Sequence, residues 1–185
     1  MENTQTLAHR GGHRWRLAAW GTASLLVLLP LVAMQFTNEV NWTLSDFVFA
    51  GLLFGTVGGL YELTVRMSRN IAYRAGVGFA LSAAFLIVWA NGAVGMIGDE
   101  SSGYTQLFYG VIGVALIGSV AAMFRPAPMA LAMLAAGLAH LGIALGGLSA
   151  DPRGAAISAV FAGPWLLSAA LFRLAARQRA AAPQA

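Results

Sequence analysis

Six stretches of the chain, residues 17–36, 47–65, 75–97, 107–124, 129–148 and 155–172, are apolar almost without interruption. At 1.5 Å per residue, each approaches the ~20 residues that a helix needs to cross ~30 Å of hydrocarbon. None carries the regular polar stripe of a helix on the surface of a soluble bundle. The pattern predicts an all-α, polytopic integral membrane protein, a bundle of six transmembrane helices. The first stretch is longer than a signal-peptide core, and no small-x-small cleavage site follows it, so it reads as a retained span. Residues 1–12 and 180–185 read as mobile tails flanking a single six-helix domain over 13–179.

Breaks in the apolar pattern set the finer expectations. Thr43-Leu-Ser-Asp46 has the spacing of a capping box at the start of the second span. Pro126 and Pro128 bracket a tight turn before the fifth. Gly163-Pro164 predicts a bend in the sixth, because proline removes a hydrogen bond and clashes one turn back. Small residues recur at steps of four at Gly51, Gly55 and Gly59, at Ala155, Ala159 and Gly163, and at Gly142 and Gly146. In lipid such faces let helix backbones approach closely, within one chain or across a homodimer. A weak internal repeat aligns Phe49, Gly51, Gly59 and Arg66 with Phe108, Gly110, Gly118 and Arg125.

Charge adds orientation. Lys and Arg total 11, against 7 acidic residues. Arg10, Arg14, Arg16, Arg66, Arg69, Arg74, Arg125, Arg173, Arg177 and Arg179 fall on alternate loops, and only Arg153 lies on the other side. The positive-inside bias then places both termini in the cytoplasm. The net charge of +4 reflects this topology, not a nucleic-acid surface. The chain contains no cysteine, which removes thiolate metal sites, disulfides and cysteine nucleophiles.

Candidate chemistry is sparse. Glu62 and Arg66 are spaced for an i,i+4 ion pair at the end of the second span. Asn91 lies within the third span and predicts a hydrogen bond to another helix, while Gly92, Gly95 and Gly98 loosen that span toward its end. Asp99 and Glu100 form an acidic rim, read as a solvated loop in preference to a cation site. His140, near the middle of the fifth span, is the most notable intramembrane ionisable group. His9 and His13 precede the first span and cannot join it in a bis-histidine site, so a hydrogen bond from His140 to Asn91 or to a carbonyl is favoured. There is no phosphate-binding Gly loop, no HExxH and no nucleophile elbow, so no catalytic residue, metal or cofactor is expected.

The segments Asn41-Trp-Thr-Leu-Ser-Asp-Phe47, Tyr61-Glu-Leu63 with Arg66, and Val88-Trp-Ala-Asn91-Gly-Ala-Val-Gly95-Met-Ile-Gly98-Asp-Glu100 resemble a family of small bacterial inner-membrane proteins of unassigned activity. Tyr109-Gly110 and Phe124-Arg-Pro126 follow the same pattern, which extends over the first five spans and loosely over the sixth. The family favours an Asn-Pro-Ala-Asn loop after the glutamate; Ser101-Ser-Gly-Tyr-Thr105 stands there instead. The resemblance implies a bacterial inner-membrane address and no activity. Two functions remain open: a structural or accessory subunit of a membrane complex, or a small oligomeric transporter or channel with Asn91, His140 and Glu62 on its path. The partners expected are the bilayer and a membrane protein or a second copy of this chain, with no nucleic acid.

Overall fold

The computed structural model describes residues 3–98 and 102–181. Among them it is all helical: α1 (Asn3–Ala33), α2 (Leu44–Met67), α3 (Ile71–Ala93), α4 (Gly103–Ala121), α5 (Pro126–Gly146), a 3₁₀ turn (Gly147–Ser149), α6 (Pro152–Phe161) and α7 (Gly163–Ala181). Six helical segments, with α6 and α7 counted together, are long and apolar enough to cross a bilayer. This is the architecture of a multi-pass membrane protein. The chain forms two compact units, residues 1–60 and 61–185.

In the first unit, Trp20 of α1 lies against Gly58 of α2, where a Cβ would sit 3.0 Å from the indole. Ala50 is the sole buried residue among those described there. Leu25, Leu29 and Leu52 are each more than 60% exposed, the surface expected of side chains that lipid would cover. α1 begins at Asn3, ahead of the apolar stretch. Adding residues to an existing helix gains a hydrogen bond for each residue fixed, whereas a new nucleus is costly. The capping box at α2 is half formed. The Thr43 backbone N–H donates to Asp46 Oδ2 at 2.7 Å, but the Thr43 hydroxyl also turns to that carboxylate, at 2.8 Å.

The second unit has a packed core. α4 buries Thr105, Phe108, Val111 and Ala115, a single stripe at helical spacing. α5 buries eight residues from Pro126 to Ala144, and α7 buries Trp165, Ser168, Ala169, Phe172 and Ala175. Six glycines make the close approaches, among them Gly78, where an added Cβ would lie 3.3 Å from the Tyr61 ring. An added Cβ would lie 3.3 Å from the Phe172 ring at Gly76, 2.6 Å from Ala132 Cβ at Gly118 and 2.8 Å from Leu166 at Gly137. At Gly147 it would meet Ile97 at 2.5 Å, and at Gly154 the Met96 carbonyl at 2.6 Å. The stripes read from the sequence are not these: a Cβ at Gly51, Gly55, Gly59, Gly142, Gly146 or Gly163 would touch nothing within 4 Å. Spacing alone identifies a face that permits close approach; it does not say which face is used.

Three boundaries differ from the apolar pattern for backbone reasons. α3 stops at Ala93, short of residue 97, because Gly95 (φ 77°) and Gly98 (φ 74°) take left-handed conformations. Between them the chain turns back and buries Met96 and Ile97. α4 stops at Ala121, and Met123 and Phe124 take positive φ with exposed side chains. The sixth span is broken, not merely bent: α6 ends at Phe161 and α7 restarts at Gly163. Pro164 has no N–H to continue the ladder, and Leu166 resumes it by donating to the Ala162 carbonyl at 3.2 Å.

Candidate functional site: a buried polar layer at one end of the bundle

Within the second unit, the ends of α3 and α5 and the starts of α4 and α6 come together at one pole, and Arg153 is the one arginine described there. Arg66, Arg69, Arg74, Arg125, Arg173, Arg177 and Arg179 belong to the opposite ends of the same helices or to the turns between them. The two poles are stitched differently.

At the arginine pole, Asn70 caps α3 by accepting from the Tyr73 N–H at 2.7 Å and donates to Gln178 at 2.8 Å. Arg74 donates to the carbonyls of Ser68 and Val65, both at 2.6 Å, closing the α2–α3 turn. The Tyr73 hydroxyl donates to the Phe124 carbonyl at 3.0 Å. Glu62 and Arg66 form the expected i,i+4 pair at 2.5 Å. With the Arg66 side chain 65% exposed, the pair anchors locally and contributes at most about 0.5 kcal/mol.

At the other pole, Asp151 has a role that the sequence reading did not give it. One carboxylate oxygen accepts from the Gly154 N–H at 2.9 Å and caps α6; the other accepts from the Gly98 N–H at 3.2 Å. These backbone donors, Gly154 foremost, hold the carboxyl below its ordinary value of 3.8. Asp followed by Pro at the first helical position is a start signal, and it was there to be read. The Ser102 hydroxyl donates to the Ile97 carbonyl at 2.7 Å, and Tyr104 donates to the Gly146 carbonyl at 3.1 Å. Asp99 and Glu100 lie outside the described residues.

Beneath this rim are four buried polar side chains: Asn91 (3% exposed), Thr105 (7%), His140 (0%) and Ser158 (1%). His140 bonds to a carbonyl, as one of its two expected partners: Nε2 lies 3.0 Å from the Ser158 carbonyl oxygen. A carbonyl only accepts, so the proton is on Nε2 and the neutral ring carries its free lone pair on Nδ1. The Ser158 hydroxyl in turn donates to the Met96 carbonyl at 3.2 Å. Phe108 covers the imidazole, ring centroids 5.0 Å apart. Asn91 departs from expectation: its Nδ2 donates to the Ile87 carbonyl of its own helix at 2.9 Å, and among the described residues no inter-helix bond forms. The backbone oxygen one turn back is always within reach of a short polar side chain, and that local bond won.

The layer is incompletely satisfied. Asn91 Oδ1, Thr105 Oγ1 and His140 Nδ1 are buried with no hydrogen-bond partner, as is Trp165 Nε1, whose side chain packs beside Gly137, one turn from His140 toward the arginine pole. Each such atom costs about 1–3 kcal/mol. Thr105, Ser158 and Trp165 were not singled out from the sequence; Thr105 and Phe108 at i,i+3 on one face of α4 are the signal that would have found the first. Among the described residues, no three His, Asp or Glu side chains converge as a metal site. No family model matches the chain, and neither a characterised protein nor a solved structure matches it.

Proposed function

We propose that this chain is an accessory or regulatory subunit of a membrane complex in a bacterial inner membrane, with both termini in the cytoplasm. The observation that carries the reading is the face of α2 bearing Gly51, Gly55 and Gly59, where a side chain would meet no neighbour within 4 Å. A small-residue face gives lipid little to pack against and gives a helix a close approach. The segregation of arginine supports the orientation. The absence of cysteine from the chain simplifies the topology test, because each introduced cysteine is a unique label. Cysteines at position 69 and at position 153 are expected to react with impermeant maleimide from opposite sides of the membrane.

A photo-crosslinking residue in place of Gly55, in native membranes, tests the function itself. One discrete adduct with a second protein, absent when the same residue replaces Leu25, supports the subunit reading. Adducts with lipid only, at both positions, remove it.

The unpartnered atoms of Asn91, Thr105 and His140 favour a second reading, a small transporter or channel using the polar layer. Flux through liposomes that His140→Leu abolishes without loss of folded protein would place the function there.

A further inference from the structure

We infer that the arginine pole of the second unit is a docking surface for anionic phospholipid, with phosphate on its uncommitted guanidinium groups and acyl chains on the apolar side chains beside them. This holds whichever of the two functions above the chain serves. Arg66 is committed to Glu62, and Arg74 to the carbonyls of Ser68 and Val65. Arg69, Arg125, Arg173, Arg177 and Arg179 are exposed, and among the described residues none has an ion pair or a side-chain hydrogen bond. The other carboxylate described in this unit, Asp151, is at the far pole. Five positive charges therefore stand at one rim without an internal counter-charge. Two of their placements are unfavourable in themselves. Arg173 and Arg177 are spaced i,i+4 on α7, where like charges repel. Arg125 is the N-cap of α5, makes no side-chain cap, and sets a cation against the positive end of the helix dipole. An anion relieves both.

Tyr73 draws these positions together. Its hydroxyl donates to the Phe124 carbonyl at 3.0 Å, one residue from Arg125. Its ring centroid lies 5.2 Å from that of Phe172, one residue from Arg173. Arg179 interacts electrostatically with its phenol. Asn70, next to Arg69, donates at 2.8 Å to Gln178, which stands between Arg177 and Arg179. The α2–α3 turn, the α4–α5 turn and the end of α7 thus make one rim. Apolar side chains accompany the charges: Met67 and Ile71 lie two residues to either side of Arg69, Met123 and Phe124 precede Arg125, and Leu174 follows Arg173, all of them exposed. Met123 and Phe124 stand out in water-side positions on a left-handed backbone (φ 48° and 55°) that residues with side chains rarely adopt. A soluble phosphate would engage the arginines and leave these side chains uncovered. A phospholipid at the end of a membrane span satisfies both.

The test is native mass spectrometry of the full chain in detergent, titrated with phosphatidylglycerol or with phosphatidylcholine of the same acyl chains. The expected result is severalfold tighter binding of phosphatidylglycerol. Arg125→Gln combined with Arg179→Gln should remove most of that preference, while Arg153→Gln, at the other pole, should keep it. Equal affinity of the two lipids for the unsubstituted chain overturns the proposal, and needs no variant to be read. An equal loss of preference in Arg153→Gln also overturns it, because net charge and not this rim would then be responsible. Displacement of phosphatidylglycerol by soluble glycerol phosphate at matching concentration would assign the rim to a free anion and overturn the lipid as its occupant.

Discussion

The two units follow the same apolar grammar and reach opposite outcomes. In the first, α1 and the start of α2 bury one described residue, Ala50. In the second, α3–α7 close on Phe108, Phe172, Trp165, Ile87 and His140, all at most 1% exposed. The weak repeat makes the contrast positional. Phe49 is 47% exposed while Phe108, its counterpart, is fully buried; Gly59 is open while Gly118 lies against Ala132. Membrane helices lack a hydrophobic drive toward one another, so apolarity says only that a face tolerates lipid. What decides burial is close fit, and only one of the paired positions has it.

The largest expected effect compares the phenylalanines. Phe108→Ala leaves a cavity beside His140 and should cost about 3–5 kcal/mol, whereas Phe49→Ala should cost a small fraction of that. Reversible unfolding in mixed micelles would measure both, and equal losses would erase the distinction between the units.

Next come the glycines. Gly118→Val drives side-chain atoms into Ala132 and is expected to cost about 1–3 kcal/mol, while Gly59→Val, meeting open space, should change stability by less than about 1 kcal/mol. A large loss at position 59 in the purified protein would mean that this face is already packed.

A smaller effect is confined to the polar pole. Asp151→Ala removes the α6 cap and the tie to Gly98, so the Gly154 and Gly98 amides should exchange faster with little change elsewhere. The pH dependence has a definite sign. The folded carboxyl titrates below 3.8, so its contribution is present at neutral pH and lost as pH falls through that lowered value. Faster exchange of those two amides on acidification should be missing in the Asp151→Ala protein.

The smallest concerns Glu62→Gln. Breaking an exposed ion pair should shift stability by no more than about 0.5 kcal/mol, and a larger loss would promote Glu62 from anchor to functional group.

How much of this was legible in the sequence differs by level. The six apolar segments, the Glu62–Arg66 pair and an irregularity at Gly163-Pro164 could be read locally, because each depends on the sequence within one segment. The ends of α3 and α4 could not, since an apolar run does not reveal where the backbone turns left-handed and folds Met96 and Ile97 inward. The packing glycines and the polar layer were missed for a related reason. Gly118 meets Ala132 and His140 meets Ser158 through tertiary contacts that no single-helix pattern encodes. Asn91 shows the reverse: a local bond to Ile87 displaced the long-range one anticipated for it.

The most direct test of the contrast between the units is oxygen accessibility of single spin labels on the purified protein in liposomes, with cysteines introduced at positions 25, 55 and 115. The account predicts that position 55 is as accessible as position 25 and that position 115 is shielded. A label at 55 as shielded as that at 115 would show that this chain covers the small-residue face itself, and would contradict the proposal that a partner is needed to do so.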